Sequence, residues 1–245
     1  GRAVGELAAK HLKRAHLELG GNNALLVLPG ADIARAASAG AFGSFLHQGQ
    51  ICMTTGRHFV HESQYDAYVE ALAAKAAHLP VGDPASGTVA LGPLIDAGQL
   101  ARVQAIVDRA KDAGARVAAG GTADGAFFSA TVLADLTADN PAFTEEIFGP
   151  VAPVLAYSTL DEAIDLINAN DYGLSVGILG DVGTAMEVAD RVHSGKVHIN
   201  EQTVSDEANA PFGGVKASGT GSRFGGATAN IEAFAGVQWL AMRSE

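Results

Sequence analysis

The sequence predicts an α/β fold, a largely parallel sheet with helices on both faces. Short apolar runs alternate with amphipathic helical stripes along the whole chain. Their spacing suits right-handed strand–helix–strand crossovers, which lay helices on both faces of a parallel sheet. Of 245 residues, 48% are apolar and 18% charged, which is enough for a full hydrophobic core and unlike a disordered chain.

Residues 2–13 read as an amphipathic helix with Val4, Leu7, Ala8 and Leu12 on one face. No capping residue precedes it, so it reads as a helix cut into and the chain as a piece of a longer one. Residues 16–19 form a short strand that breaks at Gly20-Gly21, and 24–28 a compact, buried strand. Asp32 caps a helix to about Leu46. A loop with Cys52 follows, then a strand at 57–61 and a helix from Ser63 to Leu79. Residues 80–93 are a loop, punctuated by Gly82, Pro84, Gly87 and Gly92. Asp96 to Ala113 is a helix closed by Gly114. Strands follow at 115–119 and 130–133, then a loop or short helix at 140–150. Residues 151–157 read as a strand, in which Pro153 points to an edge position or a bulge. Thr159-x-x-Glu162 is a capping box opening a helix to about Asn170. A strand at 175–179, a helix capped by Asp181 and a strand at 196–199 come next. Residues 202–226 are glycine-rich and aperiodic, as in a long loop that lines a site or an interface. A helical turn at 229–235 and a strand at 237–242 end the chain, the strand pairing with another segment or another subunit.

The net charge of −11, with no Lys/Arg cluster, disfavours nucleic acid as a partner. No apolar run reaches transmembrane length and no leader pattern is present, so no membrane partner is expected. A single cysteine argues against a disulfide scaffold and fits a reducing cytoplasm.

That cysteine, Cys52, is either a core filler or a reactive nucleophile. Its neighbours Gly49-Gln50 and Thr54-Thr55-Gly56 make a turn able to present a side chain to a cleft. Glu18, between two leucines and beside a double glycine, is either an exposed strand-end acid or a carboxylate in apolar surroundings. In the second setting its pKa rises, and it can act as general base for a water that cleaves a thioester. His47, His58 and His61 flank Cys52 without metal-ligand spacing and are expected at strand edges or in solvent. The glycine-rich 213–226 stretch has no GxxxxGK[ST] and no GxGxxG between a strand and a helix.

Leu17-Glu18-Leu19-Gly20-Gly21-Asn22 resembles the glutamate signature of the NAD(P)-dependent aldehyde dehydrogenases. Phe45-x-x-x-Gly49-Gln50-x-Cys52 resembles their cysteine signature. Glu145-Glu146-Ile147-Phe148-Gly149-Pro150, Asn200 and Pro211-Phe212-Gly213-Gly214-x-Lys216-x-Ser218-Gly219 extend the likeness over essentially the whole chain. After Ser218-Gly219 the chain reads Thr220-Gly221-Ser222-Arg223-Phe224-Gly225-Gly226, a departure from the general pattern that resembles the bacterial benzaldehyde and vanillin dehydrogenase branch.

The resemblance implies oxidation of a small aldehyde, an aromatic one, to the acid. Cys52 would be the nucleophile and Glu18 the base for the hydrolytic water. Glu146 would hold the nicotinamide ribose, Phe148 would lie beside the nicotinamide, and Leu19 and Gly20 would be backbone neighbours of that ring, with NAD or NADP as the cofactor. It implies a division into 1–19, a remnant of the coenzyme-binding domain; 20–228, the catalytic domain; and 229–245, a tail with the oligomerisation strand. It also implies a homodimer or homotetramer at full length. Most of the coenzyme domain, with an oxyanion-hole asparagine, would precede Gly1, leaving these residues alone weak or inactive as a dehydrogenase. A coenzyme-independent thiol hydrolase or esterase and a non-catalytic assembly module are the rival readings.

Overall fold

The computed structural model describes residues 1–244, so Glu245, the end of the expected tail, lies outside it. The helices are α1 (Arg2–Lys10), α2 (Ile33–Phe45), α3 (Tyr65–Ala77), α4 (Ala97–Asp112), α5 (Pro141–Thr144), α6 (Leu160–Asn168), α7 (Val182–Ala189) and α8 (Ala227–Phe234). The strands are β1 (Asn23–Val27), β2 (Thr55–His61), β3 (Arg116–Ala119), β4 (Ala123–Asp124), β5 (Phe127–Phe128), β6 (Thr131–Ala134), β7 (Val151–Tyr157), β8 (Tyr172–Gly173), β9 (Ser175–Leu179), β10 (Lys196–Ile199) and β11 (Val215–Lys216).

Seven strands form one sheet in the order β10-β9-β1-β2-β7-β6-β3. All its pairs are parallel except β3 with β6. The α/β class and the largely parallel sheet read from the sequence are therefore what the chain forms.

Short polar residues start the helices. Asp32, Asp96, Thr159 and Asp181 each accept a hydrogen bond from the backbone three residues on. Each such cap stabilises its helix by about 1 kcal/mol. Thr159 and Glu162 complete the reciprocal capping box.

Strand β1 is buried along its whole length because both sheet faces are covered. Its side chains alternate between them. Leu25 and Val27 pack with Tyr68, Val69 and Leu72 beneath α2 and α3. Leu26 and Leu28 pack with Ile164, Ile178 and Val188 beneath α6 and α7. Helix α4 adds a third cluster through Val103, Ile106 and Val107 against Leu133 and Val151.

Four expectations need correction. Pro153 lies in an interior strand, because β6 is in register with Val151, Ala152 and Pro153 while β2 takes over from Val154. The missing N–H thus falls at the hand-over between two ladders, where it disrupts neither. Residues 237–242 form no strand, and no backbone hydrogen bond ties them to either sheet edge among the described residues. Trp239 there is 92% exposed. Helix α1 stops at Lys10 rather than at 13, because Leu12 turns left-handed at φ 53°. His58 is not at an edge or in solvent but 0% exposed at the heart of β2.

His58 is held by a closed set of hydrogen bonds. The Ser44 hydroxyl donates to the Thr55 carbonyl (2.8 Å), so it must accept from His58 Nε2 (2.7 Å). His58 Nδ1 is then free to accept the Tyr68 hydroxyl proton (2.7 Å). The network is satisfied only with a neutral, Nε2-protonated ring.

Arg57 ties two layers together. Its Nε donates to Asn22 O (2.9 Å), and its Nη1 and Nη2 to Leu166 O (3.1 Å) and Ile167 O (3.2 Å) in the last turn of α6. The cation thus sits at a helix C-terminus, the end that favours positive charge, and stacks on Phe59 and Phe143. Burial pushes its pKa down to about 9, still above neutrality. Arg57→Met is expected to destabilise the chain by about 3 kcal/mol or more, since two buried carbonyls and one part-buried carbonyl lose their donor, the buried ones at about 1–3 kcal/mol each. A shifted urea midpoint with unchanged slope reads that loss; an unshifted midpoint contradicts it.

The candidate groups share one pole of the sheet. Glu18 and Gly20 precede β1, Cys52 precedes β2, Glu146 and Phe148 precede β7, and Lys196 opens β10. This is the amino end of the parallel strands. Ligands in open α/β sheets usually bind at the carboxyl end. Here that end is occupied by the capped starts of α2, α6 and α7.

Candidate active site

Cys52 reaches its position through a tight reversal after α2. His47 (φ 52°), Gln48 (φ 58°) and Gly49 (φ 66°) are consecutively left-handed. The two non-glycine residues carry about 1–2 kcal/mol of strain each, a cost met only where the surroundings over-determine the turn. Gly49 is required there, since a Cβ would strike the Gly149 carbonyl. The reversal therefore rests directly on the segment that carries Glu146 and Phe148.

Two consecutive asparagines fix both arms of the site. The Asn23 amide donates to Cys52 O (2.9 Å) and Thr54 O (2.8 Å), and its oxygen accepts from Ser175 N (3.0 Å). The Asn22 amide donates to Phe143 O (3.0 Å), just ahead of Glu146. Period-two alternation sends the two side chains in opposite directions. Thr203 donates to Met53 O (2.6 Å) from the far side. Gly21 must be glycine because a Cβ would meet the Cys52 carbonyl.

Glu18 is cradled by the glycine-rich segment. Its Oε1 accepts from Gly214 N (2.9 Å), and its backbone bridges to Gly219. The long 202–226 loop thus lines the site, as its length and composition predict. The second oxygen, Oε2, is buried and has no partner among the described residues. Burial raises the carboxyl pKa, opposed by the Gly214 N–H and by the charges of Arg223 and Lys196.

Burial also raises the Cys52 thiol, and so do the carboxylates of Glu18 and Glu146; its own backbone N–H and Lys196 oppose them. Both carboxylates therefore act on the thiol through their charge. Cys52 also follows the C-terminus of α2, the negative end of a helix dipole, so no helix N-terminus favours the thiolate here.

Glu146 Oε1 accepts from Gly21 N (2.7 Å), and burial raises its pKa. Its other oxygen makes no hydrogen bond to the described residues, and Gly20 presents a wall where a Cβ would collide with the carboxylate. One free acceptor beside a Cβ-free wall suits a vicinal diol such as a ribose. Phe148 is left-handed (φ 55°), and Gln99 donates to its carbonyl (2.7 Å). Arg102 holds the Glu146 and Ile147 carbonyls (2.7 and 2.8 Å). Leu19 presents only its backbone here. Its N–H donates to Ser218 O (2.9 Å) and its side chain lies against Gly1.

Sequence reasoning missed three contributors: Asn22, Asn23 and Lys196. Lys196 Nζ lies 2.8 Å from Met53 Sδ, beside Cys52. The available signal was a lysine opening a short strand whose alternate positions, Val197 and Ile199, are apolar. Among the described residues no group of histidine, cysteine and acidic side chains is arranged to hold a metal ion, and no helix is long and apolar enough to cross a membrane.

The sequence model of the "Aldehyde dehydrogenase family" matches residues 1–240. The chain is 60% identical to a vanillin dehydrogenase of an Amycolatopsis species, covering 100% of this chain and 51% of that protein. It is 48% identical to the benzaldehyde dehydrogenase [NAD(+)] of Pseudomonas putida, covering 99% and 50%. Among solved structures, the NAD+ complex of an aldehyde dehydrogenase from Bacillus cereus superposes with a TM-score of 0.89 at 35% identity, covering 94% of this chain and 47% of that one. The chain spans about half the length of the curated relatives it matches.

Proposed function

The chain belongs to the aldehyde dehydrogenase family, and from that premise we propose that its residues oxidise an aromatic aldehyde to the carboxylic acid with NAD or NADP. The observation that carries this reading is the unpartnered, buried Glu18 Oε2 within the electrostatic reach of Cys52. A nucleophile that forms an acyl intermediate and a base that clears it are the two parts the chemistry needs.

The Cys52 thiolate adds to the carbonyl carbon; the C=O π pair moves to oxygen, where the Cys52 backbone N–H stabilises the charge. When bound, a nicotinamide coenzyme would supply the hydride acceptor, and the carbon held by Cys52 would then stand at the thioester level. Glu18 Oε2 then takes a proton from a water that attacks the acyl carbon, and the thiolate leaves. Raised by burial, Glu18 is a stronger base than an ordinary carboxylate, and Gly214 holds its other oxygen so that Oε2 keeps one orientation. Glu146, Gly20 and the backbone of Leu19 fit the coenzyme's ribose and ring, with Phe148 alongside.

The proposed division is 1–19 with the coenzyme-binding part, 20–228 catalytic and 229–245 a tail. Exposed Val237, Trp239 and Leu240 support an assembly role for that tail in a homodimer or homotetramer. The single free thiol supports a reducing, cytoplasmic setting.

The test joins these residues to the half of the vanillin dehydrogenase they do not match. NADH formation with benzaldehyde, abolished by Cys52→Ala, is the expected result. Ester cleavage by Cys52 in a chimaera that never forms NADH would instead favour a thiol hydrolase.

A further inference from the structure

Lys196 stands out as a cation with an incomplete set of partners. It opens edge strand β10 and is half-buried. Its Nζ donates to Ser205 O (2.5 Å) and toward Met53 Sδ (2.8 Å), and it lies over the Phe212 ring at 5.0 Å. No carboxylate comes within ion-pair distance of it among the described residues. An ammonium has three donors and a thioether is a weak acceptor, so only one donor is well used. A half-buried charge in that state is costly unless an anionic or strongly accepting group completes it.

Glu146, Phe148 and Gly20 occupy the face proposed for the coenzyme. Met53, Phe212 and Lys196 form a separate group beside Cys52, joined to one another through Nζ. An aromatic wall, a thioether and an ammonium form a binding surface for a ring that carries a negative oxygen.

We propose that Lys196 binds the ring oxygen of a hydroxylated aromatic aldehyde, as its phenolate, while Cys52 takes the carbonyl carbon. This rests on the reading of Cys52 as the aldehyde-binding nucleophile. A formyl group in conjugation with the phenol acidifies it, so the phenolate is accessible in mildly alkaline solution. The charged groups facing Lys196 are Asp206 on the following loop, Glu18, Cys52 and, from its own strand, His198. Burial lowers the Lys196 pKa, and the Asp206, Cys52 and Glu18 charges oppose that.

The test needs no coenzyme, because aldehyde addition to a thiol is reversible and redox-neutral: sulfur bonds to carbon and the oxygen takes up the proton. Alkylation of Cys52 by iodoacetamide at mildly alkaline pH is measured with benzaldehyde, 4-methoxybenzaldehyde or 4-hydroxybenzaldehyde as protectant. The quantity read is the protection constant of the hydroxy compound relative to the methoxy compound. Lys196→Met is expected to worsen that ratio about tenfold, the scale of one charge-assisted hydrogen bond, while any change in the thiol itself acts on both compounds and cancels in the ratio. A ratio unchanged by the substitution overturns the proposal. Lys196→Gln carries the same comparison if the methionine variant does not fold, and retained protection by benzaldehyde certifies either variant. If no aldehyde protects the unaltered chain, the failure lies with the role of Cys52 and not with Lys196 alone.

Discussion

Glu18→Gln is expected to speed the alkylation of Cys52 and to stall the removal of an acyl group from it. The two effects have opposite signs because Glu18 acts on the sulfur in two ways. As a charge it raises the thiol pKa, so its loss enlarges the thiolate fraction near neutrality. The lower-pKa thiolate is intrinsically a weaker nucleophile, but that offsets only about half of the gain. As a base, Glu18 activates the water that releases the acyl group, and general-base catalysis contributes about 10²–10⁴-fold. Acylating Cys52 with an activated ester separates the steps: the burst reports attack by sulfur, and the slow phase reports deacylation. Slower alkylation in the variant, or deacylation at the original rate, would show that Glu18 is not the base beside the thiol.

The second large effect concerns acid. His58 titrates at about 3 in the fold, against about 6.5 in an unfolded chain, because the ring is fully buried. Between those values the unfolded chain binds a proton that the folded chain refuses. Stability from this group is therefore intact above about pH 6.5 and is lost as pH falls towards 3, by roughly 5 kcal/mol in all. The slope follows from unit proton uptake by the unfolded state. Glu18 and Glu146, whose folded pKa values are raised, act with the opposite sign near the carboxylate range. Urea midpoints measured from pH 7 down to pH 4 read the loss. His58→Gln, which presents an amide with no titration, should be less stable at neutrality and flatter against pH. Parallel pH profiles for the two proteins would remove His58 as the cause.

What could be read from the chain follows the range of the interactions. Asp32, Asp96, Thr159 and Asp181 bond to backbone three residues away, so their helices were legible. Cys52 and Glu18 stood out through their glycine neighbours. The strand order was not legible, since β1 lies between β2 and β9 although β9 begins more than a hundred residues later. His58 was misread for a similar reason. Its partners Ser44 and Tyr68 come from two different helices, and each is a polar residue on a buried face of its own element. Pro153 was misplaced because a hand-over between two ladders is a property of three strands, not of one. Lys196 went unnoticed because Met53 reaches it from the loop before β2, and Ser205 and Phe212 from two points of the long 202–226 loop.

The crowding of reacting groups at the amino ends of the strands divides the molecule into a working end and an editable one. Gly30, Ser63 and Ser158 lie on connections at the opposite end, exposed, and none of them touches Cys52, Glu18 or Glu146. Lengthening, tagging or permuting the chain there leaves the chemistry undisturbed provided the helix caps are kept. At the other pole no such freedom exists. Gly21, Gly49 and Gly214 each carry backbone pressed against a reacting group or its support, so that a lineage altering its substrate must do so through side chains such as Lys196, not by remodelling loops.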